Sequence, residues 1–112
     1  MIFDLNLSPT PFYLIKNEKK IIEMRLATPI RKEINVGDNI RFTRKDTGET
    51  LLVEVIDKKE FKDFEELYKA YPKSELGYSL KETPDYKDMY QYYSKSEIDK
   101  YGVIAFKIKL LK

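Results

Sequence analysis

The run "YGVIAFKIKLL" at residues 101–111 does most to limit what this chain can fold into. Ile104, Phe106, Ile108 and Leu110 recur at a period of two and share one face of a strand, while Lys107 and Lys109 share the other. Such a strand implies a sheet, and three earlier segments are ready to supply it. Residues 20–26 read as one strand. "NVGDNIRF" offers a turn at Gly37-Asp38 and then a strand from about Asn39 to Thr43. "TLLVEVID", residues 50–57, alternates and is rich in branched side chains. Between the last two, "RKDTGET" is a hairpin signal with Gly48 in the left-handed position, so these strands are expected to pair antiparallel.

Helical spacing fills the rest. "SPTPFYLIKN" predicts a short helix with Thr10 as its cap, Pro11 at its first position and an end near Asn17. Asp63 is placed to cap a second helix whose apolar positions are Phe64, Leu67, Tyr68 and Tyr71, with Pro72 closing it. "SELGY" reads as a turn. Residues 84–100 predict one or two further short helices, with Ser94 and Glu97 spaced for a capping box. The expected architecture is α+β, one domain over residues 1–112: a helix, three strands, a helical excursion and a returning strand. They would form a small curved or closed sheet with the excursion packed on one side. No internal repeat or low-complexity linker interrupts it.

Composition narrows the chemistry. The 112 residues are 42% hydrophobic, 36% charged and 13% aromatic, which suits a folded domain rather than a disordered one. Cysteine and histidine are both absent, so disulfides, thiolate metal sites and imidazole acid-base catalysis are excluded. No cofactor is implied. Asp85 and Asp88 are spaced to meet a magnesium ion, yet two acids at helical spacing more often face solvent, and no metal site is expected. "MIFDLNLSPT" lacks a basic stretch before an apolar run, and no later run approaches membrane-spanning length. The expectation is a soluble, cytoplasmic protein with no membrane partner.

The net charge of +2 is unevenly spread. Residues 1–45 carry nine basic and five acidic side chains, residues 46–100 nine and fourteen, and residues 101–112 three lysines without an acid. Basic ends and an acidic middle become a one-sided field if the ends meet in space. Ordinary solvated lysines explain the same count.

Within "KKIIEMR", residues 19–25, alternation sends Ile21, Glu23 and Arg25 to one face of the strand and Lys20, Ile22, Met24 and Leu26 to the other. A carboxylate beside a guanidinium presents an acceptor and a planar donor fork to a base or a phosphate. The stem of Lys20 is long enough to swing to the same rim. The competing reading is an exposed ion pair of little consequence, worth about 0 to 1 kcal/mol.

"EKKIIEMR", "VGDNIRF" and "YGVIAFKI" together resemble the ASCH domain, a branch of the PUA-like superfamily, in order and over nearly the whole chain. The resemblance implies a small PUA-like β-barrel flanked by short helices. The family's first barrel strand carries a stretch of the form G-x-K-x-x-E-x-R, whose charged positions fall on Lys20, Glu23 and Arg25. Its glycine position holds Glu18, and Asn17 is expected to make the backbone turn instead. These charges would line a cleft between barrel and helices.

That resemblance implies an RNA- or nucleotide-binding domain, with an RNA, nucleotide or nucleoside as partner. Lys19, Lys20, Glu23, Arg25, Arg41, Tyr93 and Tyr101 are the expected ligand-binding residues, and Lys16, Arg31, Lys32 and Arg44 add to the attracting field. Tyrosine side chains would stack on bases, although Tyr86, Tyr90 and Tyr93 also recur at the spacing of packing residues. The alternative is a small hydrolase. Some ASCH proteins that this chain resembles remove acetyl from N4-acetylcytidine with a lysine, a threonine and a glutamate. Lys20 matches the lysine, Glu23 stands at the threonine position, and Glu65, Glu66, Glu75 and Glu82 compete for the third place. Other ASCH proteins resemble ribonucleases, for which Lys20 and Arg25 would steady a phosphorane and Glu23 would move a proton. In either hydrolase, Lys20 and Glu23 are the catalytic candidates. A protein partner docking on the acidic residues 46–100 is a third reading, which a solvated helix face explains as well.

Overall fold

The computed structural model describes residues 1–111; Lys112, the last residue of the expected domain and of its basic end, lies outside them. Five strands form one sheet: β1 (Ile2–Leu7), β2 (Ile22–Leu26), β3 (Asn39–Arg44), β4 (Thr50–Phe61) and β5 (Val103–Leu110), in the spatial order β1-β3-β4-β5-β2. β1 runs parallel to β3, and every other pair is antiparallel. The β3-β4 hairpin forms as expected, with Gly48 at a φ of +78°.

β4 holds the sheet together because its first half pairs with β3 while most of its length pairs with β5. A register shift between Val55 and Asp57 leaves Ile56 as an extra, exposed residue. Such a bulge bends its strand and adds twist. The result is a curled half-barrel, the curved of the two expected forms. β1 and β2 are its free edges, and no backbone ladder joins them among the described residues.

β1 was not among the expected strands. Phe3, Leu5 and Leu7 alternate inward with Asp4 and Asn6 outward, but no turn signal pairs this segment with a neighbour, and its partner strand lies far along the chain. β2 begins at Ile22 rather than Lys20.

The helices are α1 (Pro9–Lys16), α2 (Pro29–Lys32), α3 (Phe64–Ala70) and α4 (Lys95–Tyr101), with a 3₁₀ turn at Tyr86–Gln91. α1 starts two residues earlier than expected: Ser8, not Thr10, is the capping position and Pro9, not Pro11, the first helical one. Either proline suits a first turn, so the sequence offered two starts. α2, a single turn, was not anticipated. Asp63 caps α3 by accepting the Glu66 N–H at 2.9 Å, and Ser94 with Glu97 makes the expected capping box of α4.

Both faces of the sheet are covered. On the inner face Ile40, Phe42, Val53, Val55, Ile104, Phe106 and Ile108 pack under Phe12 and Ile15 of α1. On the outer face Ile22, Met24, Leu26, Val103 and Ala105 meet Phe64, Leu67, Leu76, Met89 and Ile98 of the helical excursion. β5 contributes to both cores, which is why Val103 to Phe106 are wholly buried. No helix among the described residues is long and apolar enough to cross a membrane.

Candidate functional site

The register of β2 on β5 decides where the motif charges go. Glu23 lies opposite Phe106 and Arg25 opposite Ile104, and directly opposed residues share a face. Both charged side chains therefore enter the inner, apolar face, while Ile22, Met24 and Leu26 turn to the helices. Lys20, ahead of the strand, joins them. Lys20, Glu23 and Arg25 are 9%, 2% and 9% exposed. Arg25 Nε donates to Glu23 Oε2 at 2.8 Å, Lys20 Nζ stands 3.4 Å from Glu23 Oε1, and Arg25 Nη2 donates to the Asn6 carbonyl oxygen at 2.8 Å. Burial replaces the competing picture of an exposed pair. Charges removed from water this far are costly unless paired; Glu23 and Arg25 are paired and hydrogen-bonded, and Lys20 is paired with Glu23.

The electrostatics follow. Burial pushes the Glu23 carboxyl up, but Arg25 and Lys20 outweigh it and hold the group below its ordinary value of 4.5. Burial also disfavours charge on Arg25, and Glu23, with Tyr93 beside it, more than restores it. The Tyr93 hydroxyl is raised by burial against the pull of Arg25 and Arg31. The centre is a fixed cation-anion-cation array.

The turn before β2 aims Lys20. Glu18 itself occupies the left-handed region at a φ of 57°, whereas Asn17 has a φ of −96°, so Glu18 and not Asn17 makes the backbone turn. Lys19 and Lys20 both donate their N–H to the Leu14 carbonyl oxygen, at 2.8 and 3.2 Å, which folds the chain back on α1. Gly77, at a φ of +99°, packs across the stem. A Cβ there would lie 3.3 Å from Lys20 Cβ and from Leu14 Cδ1.

The array opens into a cleft of about 280 Å³ at the seam between β1 and β2. Asn6, Leu7, Ser8, Pro11, Lys20, Glu23, Met24, Arg25, Arg31, Lys45, Met89, Tyr92 and Tyr93 line it. Four cations face one carboxylate. Of the expected ligand-binding residues, Lys20, Glu23, Arg25 and Tyr93 come together here. Lys19 is exposed outside the lining. Arg41 is exposed too and forks onto Asp4 at 2.6 and 3.1 Å. Tyr101 packs on the outer core, with Lys100 Nζ 5.1 Å from its ring centre.

Asn6, Ser8, Lys45, Met89 and Tyr92 were not foreseen as lining residues. Asn6 lies near the end of the unanticipated β1, Ser8 holds the capping position of α1 just after it, and Lys45 follows β3; only tertiary folding brings these together with β2. Tyr93 both lines the cleft and stacks on Phe64 at 6.0 Å, so one tyrosine packs on the outer core and borders the cleft. Of the four glutamates that competed for a third place, none lines the cleft: Glu65 faces Lys69, Glu66 accepts the Lys62 N–H, the Glu75 carbonyl receives Ile21 and Ile22, and Glu82 caps Ser79. Asp85 accepts the Lys87 N–H and Asp88 the Tyr78 hydroxyl. Among the described residues no three acids gather as metal ligands do.

Comparison with known proteins fits this geometry. The sequence profile of the ASCH domain matches residues 5–112. The crystal structure of the hypothetical protein PH0355 is similar over 99% of this chain and 100% of its own, with a TM-score of 0.83 and 28% identity. The solution structure of protein PF0455 from Pyrococcus furiosus is similar over 100% of this chain and 99% of its own, with a TM-score of 0.73 and 28% identity. The ASCH protein of Zymomonas mobilis shares the fold at a TM-score of 0.67 and 16% identity, over 96% of this chain and 66% of its own. No curated protein sequence matches significantly. A profile spanning nearly every residue, on a half-barrel with the motif charges gathered at its seam, makes this chain a member of the ASCH domain family.

Proposed function

We propose that the chain works as one domain that binds a nucleotide unit, free or within RNA, in the seam cleft. The observation that carries this reading is the buried Lys20-Glu23-Arg25 array, fixed before any ligand arrives and facing a cleft walled by Tyr92, Tyr93 and Met89. Glu23 already satisfies one edge of Arg25, so the remaining guanidinium N–H groups and the Lys20 ammonium are donors available to a base or sugar edge. Aromatic walls offer a face for stacking. At about 280 Å³ the cleft lies near the lower end of small-molecule sites, roughly 300 to 1,000 Å³, which suits one nucleoside unit. Its positive excess favours phosphate-bearing ligands.

Binding is favoured over hydrolysis by the state of Glu23. A carboxylate held ionised by two cations is a weak base at neutral pH and a poor proton donor. Titration of the protein with mononucleotides and short RNAs at low and high salt tests the reading. Affinity that weakens with salt and drops at least tenfold (about 1.4 kcal/mol) in Tyr92→Ala supports it. Absence of any salt-sensitive binding would overturn it, and product formation lost in Lys20→Ala would install the hydrolase instead.

A further inference from the structure

Resting on the reading that the cleft holds a nucleotide unit, we propose that its ligand ends in a phosphate monoester, received by Arg31 and Lys45 on the outer wall. The charges of the site divide into two sets. Lys20 and Arg25 share Glu23, and Arg25 also spends Nη2 on the Asn6 carbonyl oxygen. Arg31 and Lys45 face the same space from α2 and from the turn after β3, and neither forms an ion pair with a carboxylate among the described residues.

Arg31 differs from the other arginines in this respect. Arg25, Arg41 and Arg44 are each bound to a carboxylate, Glu23, Asp4 and Asp46 respectively, whereas the Arg31 side chain makes, among the described residues, one hydrogen bond, 3.5 Å from Nη1 to the Leu26 carbonyl oxygen. Glu97, which feels the field of Arg31, is committed to Ser94 in the cap of α4. Ser8 also lines the cleft, and its side chain makes no capping bond to α1. Pro9 and Pro11 remove two N–H groups from the first turn of that helix and leave only that of Thr10, so an anion here depends mainly on side chains.

Charge then selects the anion. A phosphate monoester carries about −1.5 to −2 at pH 7 and offers three terminal oxygens. Two uncompensated cations and a hydroxyl match it. A diester inside an RNA strand, with about one negative charge, would leave one cation unmatched. The ligand is therefore a terminal nucleotide, whether a free nucleoside monophosphate or the phosphorylated end of an RNA.

Calorimetric titration with nucleosides, their 5′- and 3′-monophosphates, and a trinucleotide RNA with and without a terminal phosphate tests this. A phosphate is expected to improve affinity about tenfold or more over the matching hydroxyl compound. Preference among mononucleotides alone identifies the free nucleotide as the source, and preference among trinucleotides the RNA end. In the Arg31→Ala/Lys45→Ala double variant the preference should fall to about twofold or less. Lys62→Ala/Lys69→Ala, which removes equal charge elsewhere on the surface, should retain it. Equal binding of nucleosides and monophosphates, or equal loss in both double variants, would overturn the proposal while leaving the nucleotide cleft in place. If neither nucleosides, nucleotides nor RNA bind, the cleft reading itself falls.

Discussion

Arg25, on one edge strand of the half-barrel, donates through Nη2 to the carbonyl oxygen of Asn6, on the other edge, at 2.8 Å. A side chain thus spans the seam that, among the described residues, no backbone ladder closes. The same guanidinium holds Glu23 through Nε, so one residue joins the edges of the sheet and compensates the buried acid.

Removing that guanidinium should be expensive. Arg25→Ala leaves Glu23 with only Lys20 as counter-charge and frees the Asn6 carbonyl, so stability should drop by about 3 to 5 kcal/mol. Arg25→Lys keeps the charge but cannot reach both partners as a planar fork, and should cost about half as much. Urea unfolding midpoints measure both. A loss below about 1 kcal/mol for Arg25→Ala would mean that the seam is held by something else.

Glu23 should also mark the pH dependence. Its folded pKa lies below the ordinary value of 4.5, so the stability it contributes is complete above that value and disappears as pH falls through the folded pKa. Glu23→Gln should be less stable than the wild type at neutral pH because two cations then sit buried without an acid. The gap between their melting temperatures should narrow as pH is lowered toward about 3. A gap of constant size would contradict the assignment.

The turn into β2 predicts a gain. Glu18 pays for a left-handed conformation that glycine adopts freely, and Glu18→Gly should stabilise the fold by about 0.5 to 1 kcal/mol. Chemical denaturation with an unchanged m-value would show it. Destabilisation would mean that the Glu18 side chain contributes more than its backbone costs.

Behind the cleft, in the outer core, Tyr78 ties the 3₁₀ turn to α3: its hydroxyl donates to Asp88 Oδ2 at 2.7 Å, stands 3.3 Å from the Asp85 carbonyl oxygen and lies 3.0 Å from the Tyr68 hydroxyl. Tyr78→Phe removes all three contacts at little cost in volume, so about 1 kcal/mol should be lost. Amide exchange at Tyr92 and Tyr93, which donate to the Met89 carbonyl oxygen, should quicken. Unchanged exchange there would show that the turn is held by the packing of Met89 alone.

Local rules made much of this protein legible. The alternation of Ile104, Phe106 and Ile108, the Gly48 hairpin, the Asp63 cap and the Ser94-Glu97 box depend on neighbours within a few positions, and they appear where spacing puts them. That Glu23 and Arg25 share a face follows from the two-residue period of a strand. Which face that would be, and whether it would be wet, did not. The pairing of β2 with β5 turned both charges inward, the bulge at Ile56 curled the sheet, and β1, whose parallel partner lies far along the chain, arrived beside β3 to form the other lip. Tertiary contacts alone brought Ser8, Arg31, Lys45 and Tyr92 around those charges. Sequence governs the order of side chains along each strand, whereas burial belongs to surfaces that meet only after the sheet has curled.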